Sequence, residues 1–446
     1  MKETVFVKTV GLSMSIILTV LLFAGCSLSD KANIEYANDS INVFKIKSWG
    51  WIDQVNAEFG NKNPVTKVNS ILFNDYTTYQ TKLITELYAG KGPDVIISPS
   101  GEVRNMIKNK VLVDLNQIMP GEFDMVGIGG SVQDIGLVQD KRYFLSLDYK
   151  IPLFLSSKSL VEKAGLPQDT FSSWENFASL AKEYNSQGKY LIGGNKNSID
   201  KFFLYMLAQS GTEFIDYNLK KSKVVDNSNK ILKLMDLYKN DILPAICPDK
   251  ELSQYKNLTE AMKAGLFILN FSDQENYRNL WMENSMISSS MDSEMTAIQL
   301  PNDGGDLKKY INRVAAINNN SKYKKKAVDY LIALLDAEKE DDTFSFPTSK
   351  ELEKEQLDRF GANEKTGKTG IVVATEKETE VIKTLLLPKA LSSKFEEISS
   401  KAVADIYDYG VQDIIIYRIG EFINNKKTAE ETLKNIDSAI NKLLKE

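Results

Sequence analysis

The chain has 446 residues, 43% of them hydrophobic and 26% charged, with 55 Lys and Arg against 60 Asp and Glu and a net charge of −5. This is the balance of a folded soluble protein, long enough for two or three domains or two interwoven lobes, and its acidity, with only 6 Arg, argues against a nucleic-acid partner. The absence of His excludes Ser-His-Asp and Cys-His catalysis and His-ligated zinc, copper and haem, and two Cys cannot build a metal site, so neither metal nor cofactor is expected.

Lys2 and Lys8 precede an apolar run from Val10 to Phe23. Its 14 residues are too few for a comfortable membrane span and suit the core of a signal peptide over residues 1–25. The run ends in Ala24-Gly25-Cys26. Small residues just before a Cys resemble a bacterial lipoprotein signal, with cleavage before Cys26 and a diacylglycerol on its thiol. Phe23 departs from that pattern, standing where Leu is commonest. A plain secretory signal, or a membrane anchor with an incidental Cys, is the other reading. Residues 26–40 then read as a lipid-anchored tether on the extracellular face of a bacterial cell membrane. With Cys26 lipidated, Cys247 has no partner within the chain and reads as a structural thiol between Pro244 and Pro248.

Beyond the tether, strands and helices alternate. Ile41 to Ile46 alternates apolar and polar residues, the pattern of a half-buried strand. Thr66 to Phe73 reads as a second strand. Asp75 is placed to cap a helix with Tyr76, Tyr79, Leu83 and Leu87 on one face. Gly90, Gly92 and Pro93 stop it, and Asp94 to Ser98 is a short buried strand. Strand, helix and strand with short links predict a βαβ unit and a partly parallel sheet. Ser172-Ser-Trp-Glu175 reads as a capping box opening a helix with Trp174, Phe177, Ala178, Ala181 and Tyr184 inward. Tyr190–Ile192, Gly265–Asn270, Thr296–Leu300 and Val314–Ile317 read as strands. Lys324 to Ala337 reads as a helix. Thr428-Ala-Glu-Glu431 is a second capping box, starting a terminal helix buried through Leu433, Ile436, Ile440 and Leu443. Glu351 to Thr379, rich in charge and Gly, reads as a variable surface stretch.

The order of these pieces resembles the extracellular solute-binding proteins of bacterial ABC importers, the large family with maltose-type sugar binders. Leu87-Tyr-Ala-Gly-Lys-Gly-Pro-Asp-Val-Ile-Ile-Ser98 is similar to the segment in which a Gly-Pro-Asp turn enters a buried strand. Ser157 to Pro167, followed by Ser173-Trp-Glu-Asn-Phe177, resembles the family's helix ending in Ala-Gly and its next helix start. Ala261 to Leu269 is similar to the strand that returns to the first lobe, and Lys427 to Leu433 to the start of the last helix. The first crossover departs: Asp140-Lys-Arg-Tyr-Phe-Leu-Ser146 stands where Gly-Lys-x-Tyr-Gly-x-Pro is common, and Ser156-Ser157 where Tyr-Asn is.

The resemblance implies an α/β, two-lobed, type II periplasmic-binding-protein-like fold, with mixed sheets flanked by helices and hinge crossovers between lobes. The lobes are assigned to residues 31–147 plus 271–317 and 148–270 plus 318–446. Ligands of open α/β sheets sit beyond the carboxyl ends of strands, which nominates the loops there. Ser48, Trp49 and Trp51 follow the first strand, Ser98 and Ser100 the third, and Tyr149 lies at the first crossover. Asn195, Asn197, Ser272 and Asp273 follow strands of the second lobe, and Asn312 and Arg313 precede the next crossover. Trp49 and Trp51, two apart in an extended segment, are expected to form an aromatic platform, whereas Trp174 is core. The implied function is that of a monomeric, non-catalytic receptor delivering a small solute, a mono- or oligosaccharide first, to membrane permease subunits. A lipoprotein signalling to a sensor kinase and, more remotely, a carboxylate-based glycosidase are the alternatives.

Overall fold

Ser40–Ile46 (β1) is buried at every residue but the half-buried Lys45. The expected half-exposure fails because both faces of β1 are covered; its edges are paired in parallel with Lys67–Phe73 (β2) and Val95–Pro99 (β3). Its one internal amide is satisfied there: Asn42 donates to Asp94 Oδ2 through both its backbone N (2.8 Å) and Nδ2 (3.0 Å), and accepts from Asn69. Asp75 caps Tyr76–Tyr88 (α2) by accepting from Thr78 N (2.8 Å), as the sequence predicts. Tyr79, Leu83 and Leu87 are buried, while Tyr76 stays exposed. The βαβ unit is therefore present and parallel.

The computed structural model describes residues 34–119, 131–167, 169–216, 219–274, 276–304, 306–336, 387–406 and 408–445, with residue 354 and the short pieces 346–347, 371–374 and 379–382. The expected leader, Cys26 and most of the 351–379 stretch lie outside the described residues. Residues 39–446 form one unit and residues 1–38 a second.

One long strand joins two sheets. All 13 residues of Leu145–Ser157 (β4) are buried. Its first half pairs antiparallel with Lys308–Ile317 (β8), which in turn pairs antiparallel with β3. Its second half pairs antiparallel with Leu269–Gln274 (β6) and with Met295–Gln299 (β7). Ile192–Gly194 (β5) adds to β6 in parallel. The first sheet thus runs β2-β1-β3-β8-β4 and the second β7-β4-β6-β5. The sequence reading divided the lobes at 147/148 and 270/271. The pairing instead changes hands within β4, and it attaches β6 and β7 to the second sheet.

Helices cover the second sheet with an aromatic core. Ser173, one residue later than expected, caps Trp174–Ser186 (α5) by accepting from Asn176 N (3.2 Å). Trp174, Phe177, Ala178 and Ala181 are buried beside Phe154, Phe202 and Phe271. The predicted strand starting at Gly265 begins four residues later. Gly265 has φ +75° and terminates a short helix, Leu258–Lys263, so β6 starts at Leu269. Gly193 is required by close packing, because a Cβ there would lie 2.5 Å from the Phe267 ring. Thr428 and Glu431 form the predicted reciprocal cap (3.1 Å each way), opening Ala429–Leu443, with Leu433, Ile436 and Ile440 buried. Cys247 is a free buried thiol, pushed up to about 11 mainly by desolvation. Among the described residues no helix is long and apolar enough to cross a membrane.

Candidate functional site

Strand register brings the carboxyl ends of both sheets to the middle of β4. Pro99 at the end of β3 is level with Arg313, and Arg313 is level with Asp148. Gln274 at the end of β6 is level with Ile151. In open α/β sheets this is the end where ligands bind. The β8–β4 register slips around Asn312, an irregularity that leaves it half-buried between Ile311 and Arg313.

A buried ion pair fastens this junction. Asp148 is fully buried; its Oδ1 accepts from Arg313 N (2.9 Å) and its Oδ2 from Arg313 Nε (2.7 Å) and Nη2. The guanidinium lies 5.7 Å from the Trp51 ring centroid. Ser100 Oγ donates to Ile311 O (2.6 Å), tying the end of β3 to β8. Tyr149 bonds Ser399 (2.8 Å), and Lys309 Nζ lies 4.9 Å from the Tyr149 ring centroid.

Across the junction, Asp273 gathers a polar cluster. It accepts from Ser198 Oγ (2.6 Å) and Tyr205 OH (3.2 Å), and Lys150 (3.8 Å) and Lys201 (3.7 Å) stand beside it. Ser198 N also donates to Asn195, which caps Lys196–Asp200. Alternation along β6 sends Ser272 to the other face, where it accepts from Gln274 Nε2 (2.9 Å). On that face burial pushes the Glu283 carboxyl up to about 7, against donation from Gln274 and Asn270.

Next to this cluster is a groove of about 760 Å³ lined by residues of β8 and of the helices that cover the second sheet. Tyr205 belongs to it and to the Asp273 cluster, through Phe202–Gln209 (α7) of the second sheet's layer. Arg104, shortly after β3, comes from the first. Tyr205 and Tyr310 border it from the core: their rings lie 5.3 Å apart and the residues are 1% and 4% exposed. Val403–Ile406 (β9), paired in parallel with β8, contributes Asp405. Asp408 caps Tyr409–Ile423 (α13) by accepting from Val411 N (3.2 Å), and the next turn of that helix presents Gln412. Gln412 Oε1 is buried and has no hydrogen-bond donor among the described residues. Burial raises the Asp405 carboxyl, opposed by the Ile406 N–H, Lys308 and Arg104. Burial also raises Glu102, opposed by Gln80 and reinforced by Asp408.

Of the expected site residues, Asp273 and Asn195 meet through Ser198, and Ser100, Asn312 and Arg313 lie at the junction, Ser100 bonded to Ile311 O and Arg313 level with Pro99. None of the twelve lines the groove. Trp49 and Trp51 are 7% and 2% exposed, because the extended segment assumed for them does not exist: the chain turns at Trp49 and a helix begins at Trp51. Their rings pack together (6.4 Å), with Trp49 against Tyr79 (5.1 Å), in the first sheet's core. Ser98 is buried, while Ser48 and Asn197 are exposed. The groove residues missed from the sequence are Tyr205, Tyr310, Asp405, Asp408 and Gln412. Only Asp408 carried a signal, as a capping residue before an apolar helix.

A family model described as bacterial extracellular solute-binding protein matches residues 50–341. No curated protein matches the chain. Among solved structures, the sugar-binding protein MalE of Xanthomonas citri is 14% identical, with a TM-score of 0.67 over 91% of this chain and 97% of that one. An ABC substrate-binding protein of Listeria monocytogenes in complex with cycloalternan is 17% identical, with a TM-score of 0.61 over 91% and 99%. Maltose-bound MalE3 of T. maritima is 17% identical, with a TM-score of 0.56 over 91% and 99%. The family match spans more than half of the chain, and two sheets share one long strand: the chain belongs to the bacterial extracellular solute-binding proteins and has their two-lobed α/β fold.

Proposed function

We propose that the protein captures a carbohydrate between its lobes and delivers it to the permease subunits of an ABC importer. The observation that carries this reading is the groove of about 760 Å³, with carboxylates and an amide among the side chains that line it. That size lies within the roughly 300–1,000 Å³ range of small-molecule pockets. Amides and carboxylates exchange hydrogen bonds with sugar hydroxyls. Similar folds hold cycloalternan and maltose in the relatives named above. The pairing supports lobes of residues 40–150 with 308–336 and of residues 151–299 with 409–443. Ligand contacts from both would favour closure.

Gln412→Ala should weaken a bound oligosaccharide roughly tenfold, the worth of one hydrogen bond of about 1.4 kcal/mol, with little change in melting temperature. Calorimetric titration of an oligosaccharide panel checks this. Wild-type affinity in the variant for every sugar that binds would remove the groove as the site.

The proposal extends to the membrane. Ala24-Gly25-Cys26 supports a diacylglycerol thioether at Cys26, holding a monomeric receptor on the outer face. Cells fed labelled fatty acid should label the wild type and not Cys26→Ser, which should leave the membrane fraction. An unlabelled wild type rules the anchor out.

A further inference from the structure

The end of the first sheet opposite the candidate site is basic. β1 starts at Ser40, level with Lys67 at the start of β2, and β3 starts at Val95, level with Ile317 at the end of β8. Lys91 lies just before β3, and its carbonyl accepts from Asn318 Nδ2 (2.8 Å). Lys110 is tied to the same turn, its carbonyl accepting from Asn319 Nδ2 (3.3 Å). Lys322 follows that turn, and Lys325 stands in the first turn of the next helix, Lys324–Asp336. All five lysines are exposed, and none pairs with a carboxylate among the described residues. Of the acids beside them, Asp39 is exposed, Glu86 is half-buried, and Asp94 is buried and held by Asn42 and Ser321. Val65, just before Lys67, is 88% exposed. Local stability does not account for these charges: the helix dipole favours acids in a first turn, and Lys324, Lys325 and Lys326 stand there instead.

The same end receives the chain from its N-terminal side. Asp39 N donates to Tyr323 OH (2.9 Å), between Lys322 and Lys324, so residue 39 is fixed beside the lysine run. With Cys26 lipidated, residues 26–38 reach at most about 45 Å when fully extended and roughly 20 Å as a flexible coil. The tether therefore keeps this end close to the lipid surface.

We propose that this lysine-rich end rests on anionic phospholipid headgroups, with Val65 at the headgroup boundary. This rests on the lipid-anchor reading and extends it from one thioether to an orientation. Clustered lysines are attracted to an anionic lipid surface, but only within about a Debye length, roughly 8 Å at physiological salt, and the tether supplies that approach. The candidate site, at the carboxyl ends of the strands, then stays clear of the bilayer and open to solute.

Amine acetylation of the anchored protein, read at each lysine by mass spectrometry, tests it. The probes are vesicles of phosphatidylcholine alone and of equal parts phosphatidylcholine and phosphatidylglycerol. Lys67, Lys91, Lys110, Lys322 and Lys325 should react several-fold more slowly on the anionic vesicles, while Lys163 and Lys250, exposed on the second lobe, react equally on both. Lys322→Glu with Lys325→Glu should abolish the slowing at Lys67, Lys91 and Lys110 with an unchanged melting temperature, since an acid in the first turn suits the helix. Equal rates on both vesicles overturn the proposal, as does equal slowing at Lys163 and Lys250 or slowing that survives the double substitution. Slowing on whole cells but not on anionic vesicles also overturns it and points to an acidic wall polymer. The mass of the N-terminal peptide separates this outcome from the anchor. Without a lipid on Cys26 the anchor reading falls, and the unanchored chain is mixed with the same vesicles: salt-sensitive binding that slows these lysines sustains the proposal, and no binding overturns it.

Discussion

Asp148→Ala should destabilise the protein by roughly 3–5 kcal/mol, because it leaves the Arg313 guanidinium buried without its carboxylate. Asp148 is fully buried and Arg313 is 7% exposed, so water cannot readily replace the lost partner. Three hydrogen bonds go together, one of them to the Arg313 backbone N. The double variant Asp148→Ala with Arg313→Met should recover most of the loss, since an apolar pair of similar volume avoids the desolvated charge. Urea denaturation of the three proteins measures this. A cost below about 1 kcal/mol for the single variant would mean that the guanidinium swings out to solvent.

Trp174→Ala should cost a comparable amount, roughly 3–5 kcal/mol, by a different cause. The indole is fully buried, edge-on to Phe177 (5.9 Å) and Phe202 (6.0 Å), and its loss leaves a cavity in the second sheet's core. Its Nε1 is buried with no acceptor among the described residues. Trp174→Phe should therefore cost much less, about 1–2 kcal/mol, since no hydrogen bond is broken. Thermal and urea unfolding give both values. Ligand affinity should stay unchanged in both variants, and a loss of binding at full stability would contradict the core assignment.

Local signals in the sequence were reliable where local chemistry decides. Asp75 and Thr428 announce helix starts that the structure places at those residues, because a cap is settled within one turn. The buried stripe of α5 follows from spacing alone. Strand exposure was less legible: β1 alternates, yet Asn42 is buried, because a partner 52 residues away accepts its amide hydrogens. The Trp49–Trp51 platform failed for a related reason. Alternation holds only in extended chain, and one turn after β1 replaces it with a helix. The groove was least legible. Tyr205 sits within the apolar run Phe202–Leu207 and is core, as that run suggests, and Asp405 is one acid among 60. Only strand pairing between residues 308–311 and 403–406 brings these groups to one place.

The order in which the sheets can be completed follows from the place of β8. It lies between β3 and β4 in space but comes about 150 residues after β4 in the chain. A chain growing from its N-terminus makes β1 to β3 first, then nearly the whole second sheet, while the strand between β3 and β4 is still missing. Any N-terminal fragment that stops before residue 308 leaves β3 and the first half of β4 without the strand that joins them. Such high sequence separation slows folding and prolongs the life of open sheet edges. The sheet that begins first is therefore finished last.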